Sequence, residues 1–135
     1  MLNQYNQIRR GDIYFCDLGE GYGCEQGNYR PVLICQCRAG NEFSRTTVIV
    51  PLSSSKTKKS LPTHVHIEAN DKLSLDSVIL CEQIRVIDKS RLRRFVTYLS
   101  KTKMSEVDEA ITIGLGLNEP ERGGQQNGYN IGYAH

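Results

Sequence analysis

Residues 23–37 read GCEQGNYRPVLICQC, a polar segment with two glycines that passes through an Arg-Pro pair into an apolar run. The proline biases the preceding residue, Arg30, away from helical backbone geometry and stiffens the chain at that point. The apolar residues that follow favour extended structure. The stretch therefore predicts a strand over residues 30–37, entered from a loop over residues 18–28 that contains four glycines.

Further strands are predicted on both sides of this one, from runs that are β-branched, apolar or alternating in polarity. They cover residues 11–18, 46–52, 63–67 and 77–82, with shorter segments at residues 84–87 and 95–99. The sequence RAGN at residues 38–41 predicts a turn, as does DKSRL at residues 88–92. The order of these segments predicts a mainly β fold.

The periodicity changes in the last third of the chain. Met104, Val107, Ile111 and Leu115 recur at spacings of three and four, which predicts an amphipathic C-terminal helix. Ser100 precedes this segment and is a suitable N-cap. The strands and the helix together predict a small, strongly bent β-barrel with a terminal helix.

The length and composition suit one globular domain, which we assign to residues 10–117 of the 135-residue chain. Residues 1–9 are expected to form a flexible N-terminal segment. Residues 118–135 contain four glycines and few aliphatic side chains, so a disordered tail is expected there. A formal net charge of +2 is compatible with nucleic-acid binding but does not require it.

The sequence contains no run of 18 apolar residues and no secretory signal, so we expect a cytoplasmic protein that does not bind membranes. Its five cysteines are an odd number and three lie in apolar runs, which indicates reduced core thiols rather than disulfides. Cys35 and Cys37 could share one strand face and bind a metal, with His64 and His66 as the other ligand pair. Buried-thiol packing is the commoner explanation, and no metal or other cofactor is expected.

Arg30 is the first candidate for chemistry, because its guanidinium can bind a phosphate through two parallel hydrogen bonds. The competing interpretation is a surface ion pair with Glu20 or Glu25. On the residues alone the ion pair is favoured, since such pairs are far commoner than catalytic arginines.

Two further clusters place polar residues at the ends of predicted strands. The first contains hydroxyls and cations that could bind a polyanion or simply face solvent, namely Ser53, Ser54, Ser55, Lys56, Lys58 and Lys59. In the second, Glu82, Gln83 and Arg85 could support another group or a partner subunit. His64 and His66 could act as acid–base residues, although strand histidines are more often solvated. The HExxH, GxSxG and phosphate-loop signatures are absent from the sequence.

A set of motifs occurs in order along the chain: RGDIYFCDL, a glycine-rich loop, EQGNYRPVLI, GNEFS, LPTHV, DSVILCEQIRVIDKSRL and VDEAI. In this order and spacing, from about residue 10 to about residue 117, the chain resembles the MazF/PemK family of toxin endoribonucleases. The resemblance implies an SH3-like β-barrel that forms a homodimer and cleaves single-stranded RNA sequence-specifically without a metal ion. It also implies a cognate antitoxin, as in other type II toxin–antitoxin systems.

The resemblance assigns site residues as well. The family's catalytic arginine falls on Arg30, and its hydroxyl residue, usually threonine, falls on Ser53 rather than Ser54 if the register is ungapped up to Leu61. The implied reaction is attack of a ribose 2′-hydroxyl on the adjacent phosphate, which leaves 2′,3′-cyclic phosphate and 5′-hydroxyl ends, with the loop at residues 19–28 as a cover. RNA contacts are expected from Glu25, Gln26, Tyr29, Lys56, Leu61, Pro62, His64, Glu82 and Gln83.

Two other functions are compatible with this fold. A relative with the same fold poisons DNA gyrase without cutting RNA, but such relatives share a C-terminal Trp-Gly-Ile ending. This chain contains no tryptophan and ends in NIGYAH. The third hypothesis is an inactive barrel that binds only RNA or an antitoxin, since Ser53 departs from the usual threonine.

Overall fold

The computed structural model of the chain describes residues 7–54 and 60–122, and seven strands and two helices form in these ranges. The strands are β1 (Asp12–Asp17), β2 (Tyr29–Ile34), β3 (Thr46–Ser53), β4 (His64–Ile67), β5 (Ser77–Leu80), β6 (Arg85–Asp88) and β7 (Leu92–Tyr98). The helices are α1 (Arg38–Phe43) and α2 (Lys101–Gly114). Short 3₁₀ turns follow β5 at Cys81–Gln83 and β6 at Lys89–Arg91.

β3 organises the sheet because it shares one edge between two partners. Its first half pairs with β6 and its end pairs with β5, where Leu52 lies opposite Ile79. The other edge pairs with β2, where Val32 lies opposite Pro51. All pairings are antiparallel, and the strand order is β4–β5–β3–β2–β1–β7 with β6 beside β3. The predicted mainly β fold with a C-terminal helix is confirmed, as a bent, barrel-like sheet that stays open within the described ranges.

Two apolar clusters lie on opposite faces of the sheet, since successive strand residues point to opposite sides. On one face Ile13, Leu33 and Leu52 pack with Val107 of α2. The other face carries a second cluster, which includes Ile8 from the segment expected to be flexible. All five side chains are almost fully buried. Each such burial contributes roughly 1.5–3 kcal/mol, so these clusters hold the strands that carry the site.

The predicted terminal helix is confirmed as α2. Ser100 is its N-cap, and the Ser100 hydroxyl accepts a hydrogen bond from the Lys103 amide at 3.1 Å. Met104 and Val107 are buried as predicted. The prediction for Leu115 is wrong, because α2 ends before this residue and its side chain is 54% exposed.

Two further local predictions are wrong. Residues 38–41 lie in α1 rather than in an isolated turn, because the buried Asn41 side chain fixes this segment. Its amide nitrogen donates to the Gln36 carbonyl at 2.9 Å, and its oxygen accepts from the Thr47 hydroxyl at 2.8 Å. The strand predicted through residue 82 ends two residues earlier, where the 3₁₀ turn begins.

No helix in residues 7–54 and 60–122 is long and apolar enough to cross a membrane. Residues 118–122, the start of the predicted tail, continue from α2 without helix or strand. Residues 123–135, the rest of that tail, lie outside the described residues, as do residues 1–6 of the N-terminal segment.

Candidate nucleic-acid site

Arg30 lies near the start of β2 with its guanidinium fixed by two backbone carbonyls. Nε donates to the Gly27 carbonyl at 2.8 Å, and Nη1 donates to the Leu52 carbonyl at 3.2 Å. In the described part of the chain no carboxylate pairs with this guanidinium. The Glu25 carboxylate instead accepts a hydrogen bond from the Tyr22 amide at 3.3 Å. The ion pair favoured from the residues alone does not form here, so the charge is oriented but not neutralised.

Ser53 is the last residue of β3 and follows Leu52, whose carbonyl accepts from Arg30 Nη1 at 3.2 Å. The ladder between β2 and β3 ends at Val32 and Pro51, so Arg30 and Ser53 lie just beyond its end. Ser53 is 5% exposed. Ser54 is exposed and lines the same cavity as Arg30, whereas Ser53 is not part of that lining.

The glycine-rich loop above Arg30 is held at its base. Gln83 anchors it through two bonds: its side-chain oxygen accepts from the Gln26 amide at 2.8 Å, and its nitrogen donates to the Cys24 carbonyl at 3.2 Å. Gly27 packs so closely that a Cβ there would lie 2.2 Å from the Gly21 nitrogen. The sequence predicted both glutamines as RNA contacts, and the structure brings them together as a clamp on the loop.

His64 and Glu82 form a second linked pair beside the clamp. His64 Nε2 lies 3.1 Å from a Glu82 oxygen, and its Nδ1 accepts from the Leu61 amide at 3.3 Å. The other Glu82 oxygen accepts from the Thr63 hydroxyl at 2.9 Å. Because the His64 side chain is only 4% exposed, it orients Glu82 and the segment that carries Leu61 and Pro62.

An aromatic stack joins the start of β2, next to Arg30, to the neighbouring strand β1. The Tyr29 and Phe15 rings are stacked, with centroids 5.2 Å apart and an interplanar angle of 4°. The Arg94 guanidinium lies 4.6 Å from the centroid of Phe15. Sequence reasoning missed Phe15 and Arg94, and the signal that could have indicated them is strand alternation, which turns Phe15 away from the buried Cys16.

Arg30 and the aromatic stack with Arg94 line a cavity of about 400 Å³. The rest of its lining is formed by Pro31, Leu52, Ser54, Lys72, Leu73, Ser74, Leu75 and Ser77. A larger cavity of about 820 Å³ shares Ser54, Leu73 and Ser77 with it and is also lined by His66, but Arg30 and the residues predicted to contact RNA do not line it. The predicted Lys56 lies outside the described residues, as do Ser55, Lys58 and Lys59. Leu61 is half-buried and Pro62 is exposed.

The cysteines do not converge on a metal in the described ranges, where no three His, Cys, Asp or Glu side chains are grouped to hold one. Cys37, expected to be a core thiol, is exposed because it lies at the N-cap of α1. Burial raises the pKa of Cys35 and of Cys81 to about 12. These two thiols are therefore neutral near pH 7, in the reduced state predicted for core cysteines.

The fold and the site together define a class of protein. It is a small barrel-like β domain that presents a fixed, unpaired guanidinium beneath a clamped loop, beside stacked aromatic rings. Oriented cations bind phosphate oxygens, and aromatic faces stack on unpaired bases. The class is therefore a domain built to bind single-stranded nucleic acid.

The chain belongs to the family of PemK-like, MazF-like toxins of type II toxin–antitoxin systems, whose family model matches residues 9–115. It is 51% identical over 112 residues to the Endoribonuclease MazF of Staphylococcus epidermidis, an alignment that covers 82% of this chain and 93% of that protein. The resemblance inferred from the sequence motifs is confirmed.

Comparison with solved structures shows that the fold is shared. The chain is similar to an endoribonuclease from a mycobacterial species that was solved in complex with its cognate antitoxin, with 28% identity and a TM-score of 0.67. That alignment covers 84% of this chain and 99% of the mycobacterial chain. MazF of Deinococcus radiodurans, at 24% identity, has the same fold with a TM-score of 0.69 over 81% of this chain and 96% of that chain.

Proposed function

We propose that this chain is a sequence-specific endoribonuclease toxin that cleaves single-stranded RNA without a metal ion. One observation carries the proposal: the Arg30 guanidinium is held by the Gly27 and Leu52 carbonyls, has no carboxylate partner in the described part of the chain, and lines one cavity with Ser54. A relative of 51% identity that is named an endoribonuclease supports it.

The reaction is a transesterification within the RNA. The 2′-oxygen of one ribose bonds to the adjacent phosphorus while the bond from phosphorus to the 5′-oxygen breaks. The products are a 2′,3′-cyclic phosphate and a 5′-hydroxyl, and the proton lost from the 2′-hydroxyl is balanced by the one taken up at the leaving oxygen. The nucleophile belongs to the RNA, so the protein positions the phosphate and stabilises its charge.

Arg30 stabilises the extra negative charge that the phosphate carries in the transition state. Partial burial lowers the pKa of Arg30, but a guanidinium remains charged near pH 7 and has no lone pair to accept a proton. Its role is therefore electrostatic rather than that of a base. Ser53 donates a hydrogen bond to a non-bridging phosphate oxygen, and the exposed Ser54 is the alternative donor.

The clamped loop at residues 19–28 covers the substrate in this proposal. Gln26 and Gln83 fix the base of the loop, Glu25 lies within it, and Tyr29 follows it directly. The pair formed by His64 and Glu82 shapes the wall that ends at Leu61 and Pro62, where RNA bases are held. Lys56 contributes a phosphate contact from the segment after β3.

A cognate antitoxin is the protein partner that inhibits this activity. The mycobacterial relative was solved with its own antitoxin. A flexible antitoxin segment with acidic side chains would compete with RNA phosphate for Arg30. We further propose that the protein is a homodimer and acts in the cytoplasm.

The decisive experiment incubates the purified protein with single-stranded RNA in EDTA and identifies the new ends. Cleavage to 2′,3′-cyclic phosphate and 5′-hydroxyl ends is the expected result, and Arg30→Ala protein purified in parallel controls for contaminating nucleases. Intact RNA together with inhibition of DNA gyrase would favour the gyrase poison. Intact RNA with active gyrase would favour the inactive binding barrel.

A further inference from the structure

The ring of Phe15 lies between two side chains that come from opposite neighbouring strands. Tyr29 belongs to β2 and stacks on one side at 5.2 Å, whereas Arg94 belongs to β7 and lies 4.6 Å from the ring centroid. β1 runs between β2 and β7, so the two partners reach the ring from the strands on either side of it. The result is a row of three packed groups, the parallel rings of Tyr29 and Phe15 and then the Arg94 guanidinium, which we name the stacking column.

Both ends of the stacking column are open to a ligand. Tyr29 is 54% exposed, so the outer face of its ring can accept another flat group. Within the part of the chain that the structure describes, the Arg94 guanidinium forms no hydrogen bond and no ion pair. Its neighbour Arg93 differs, since it donates to the Ser90 carbonyl at 2.5 Å and lies 3.6 Å from an Asp17 oxygen. The Arg94 charge is thus oriented by an aromatic ring and available to an anion.

The column borders the cavity of about 400 Å³ that also touches Arg30. Lys72 supplies a third cation to this cavity beside Arg30 and Arg94, and Ser54, Ser74 and Ser77 supply hydroxyls. A planar base continues a parallel column of rings, cations bind the phosphate attached to it, and hydroxyls bond the sugar or base edge. One nucleotide uses all three kinds of group.

We propose that Tyr29, Phe15 and Arg94, with Lys72, form a second nucleotide subsite, which binds the nucleotide next to the cleaved bond in single-stranded RNA. The subsite rests on the proposed function, because its ligand is the substrate that Arg30 acts on. Tyr29 and Arg30 both line this cavity, so one strand of RNA that fills it contacts both residues.

The test uses an RNA oligonucleotide that contains the cleavage site with a 2′-deoxyribose at the attacking position, which prevents cleavage. Dissociation constants are measured at several salt concentrations for the wild type, Tyr29→Leu, Arg94→Gln and the control Arg93→Gln. Tyr29→Leu is expected to weaken binding by about 5- to 150-fold, since loss of a base stack has that size. Arg94→Gln should weaken binding and lower the salt slope by about one, since it removes one phosphate contact. Arg93→Gln should bind like the wild type.

A second series places an abasic nucleotide at each position of the same RNA. In the wild type, one position beside the cleavage site is expected to weaken binding when its base is missing. In Tyr29→Leu the same abasic change should have no further effect, whereas Tyr29→Phe, which keeps the ring, should behave like the wild type.

The possible outcomes distinguish a failure of the subsite from a failure of the proposed function. The subsite is overturned if the wild type cleaves RNA, Arg94→Gln binds RNA like the wild type, and the abasic change weakens binding equally in Tyr29→Leu. That result does not contradict the endoribonuclease activity. A wild type that cleaves no RNA overturns the function instead. Variants that lose affinity for the antitoxin but not for RNA assign the column to the protein partner and also overturn the subsite.

Discussion

Arg30 Nη1 donates to the Leu52 carbonyl at 3.2 Å, and this bond holds the guanidinium of β2 at the end of β3, one residue before Ser53. Ser54, the residue after β3, lines the same cavity as Arg30. A permanent cation and the serines that end β3 are therefore brought together from separate parts of the chain. This pairing is what makes the site suitable for a phosphate in a strained, highly charged state.

Replacing Arg30 by alanine is expected to lower kcat by about 10²–10³-fold, because a charge-stabilising donor is removed. Lysine should not restore the rate, since it lacks the planar fork that bonds two carbonyls and still presents free N–H groups. Cleavage of a labelled RNA under saturating conditions measures kcat. Arg93→Ala is the matched control, and an Arg30→Ala protein with the wild-type rate contradicts the assignment.

The two serines at the end of β3 can be separated by single substitutions. Ser53→Ala should lower kcat by about tenfold or more, because a hydrogen bond to a charged group contributes about 1.5–3 kcal/mol. Ser54→Ala should retain the wild-type rate. Single-turnover cleavage measures both. The reverse result would move the hydroxyl role to Ser54 and shift the register of the site by one residue.

Gln83→Ala should release the loop without removing any group from the phosphate. It breaks the bonds to the Gln26 amide and the Cys24 carbonyl, each worth about 0.5–1.5 kcal/mol. The expected results are a higher KM and faster hydrogen exchange at the Gln26 amide. Gln36→Ala, which breaks a bond to the Thr46 carbonyl away from the loop, is the control. Unchanged exchange at Gln26 in Gln83→Ala would show that the loop is held by other contacts.

The rate of thiol alkylation should be higher for the exposed cysteines than for the buried ones. Desolvation raises the pKa of Cys16 to about 11 and of Cys35 and Cys81 to about 12, whereas Cys24 and Cys37 are exposed. Iodoacetamide at pH 8 followed by peptide mass spectrometry should therefore find Cys24 and Cys37 modified first. Rapid labelling of Cys35 in the native protein would contradict the burial.

The same thiols make stability depend on alkaline pH. In the unfolded chain a thiol loses its proton at about pH 9, before the buried thiols of the folded chain do. The unfolded state then binds fewer protons than the folded state. The free energy of unfolding therefore keeps its full value below pH 9 and decreases as the pH rises toward 12. Urea denaturation at pH 8 and pH 10 measures this decrease.

Sequence alone indicates most strands, because β-branched and apolar runs favour extended structure wherever they pair. It also identifies Arg30, through the local effect of Pro31. It does not show that Glu25 turns to the Tyr22 amide, since that depends on how the loop closes. It likewise misses Arg94, which reaches Phe15 only because strand register brings together residues far apart in the chain.

Gly27 links the loop to Arg30, and Gly27→Ala is expected to impair both stability and cleavage. An added Cβ would lie 2.2 Å from the Gly21 nitrogen and 2.8 Å from the Gly19 carbonyl oxygen, so the loop base must open. Opening displaces the Gly27 carbonyl that holds Arg30 Nε at 2.8 Å. Overpacking of this kind costs about 1–3 kcal/mol, which is seen as a lower Tm.

Gly23→Ala is the matched control for this loop. A Cβ at Gly23 meets nothing within 4 Å, although its φ of +59° is a left-handed conformation that costs alanine about 1–2 kcal/mol. Both variants should therefore melt earlier than the wild type, but only Gly27→Ala should lose kcat, because only Gly27 bonds the guanidinium. Equal kcat values for the two variants would show that Arg30 is positioned without the Gly27 carbonyl.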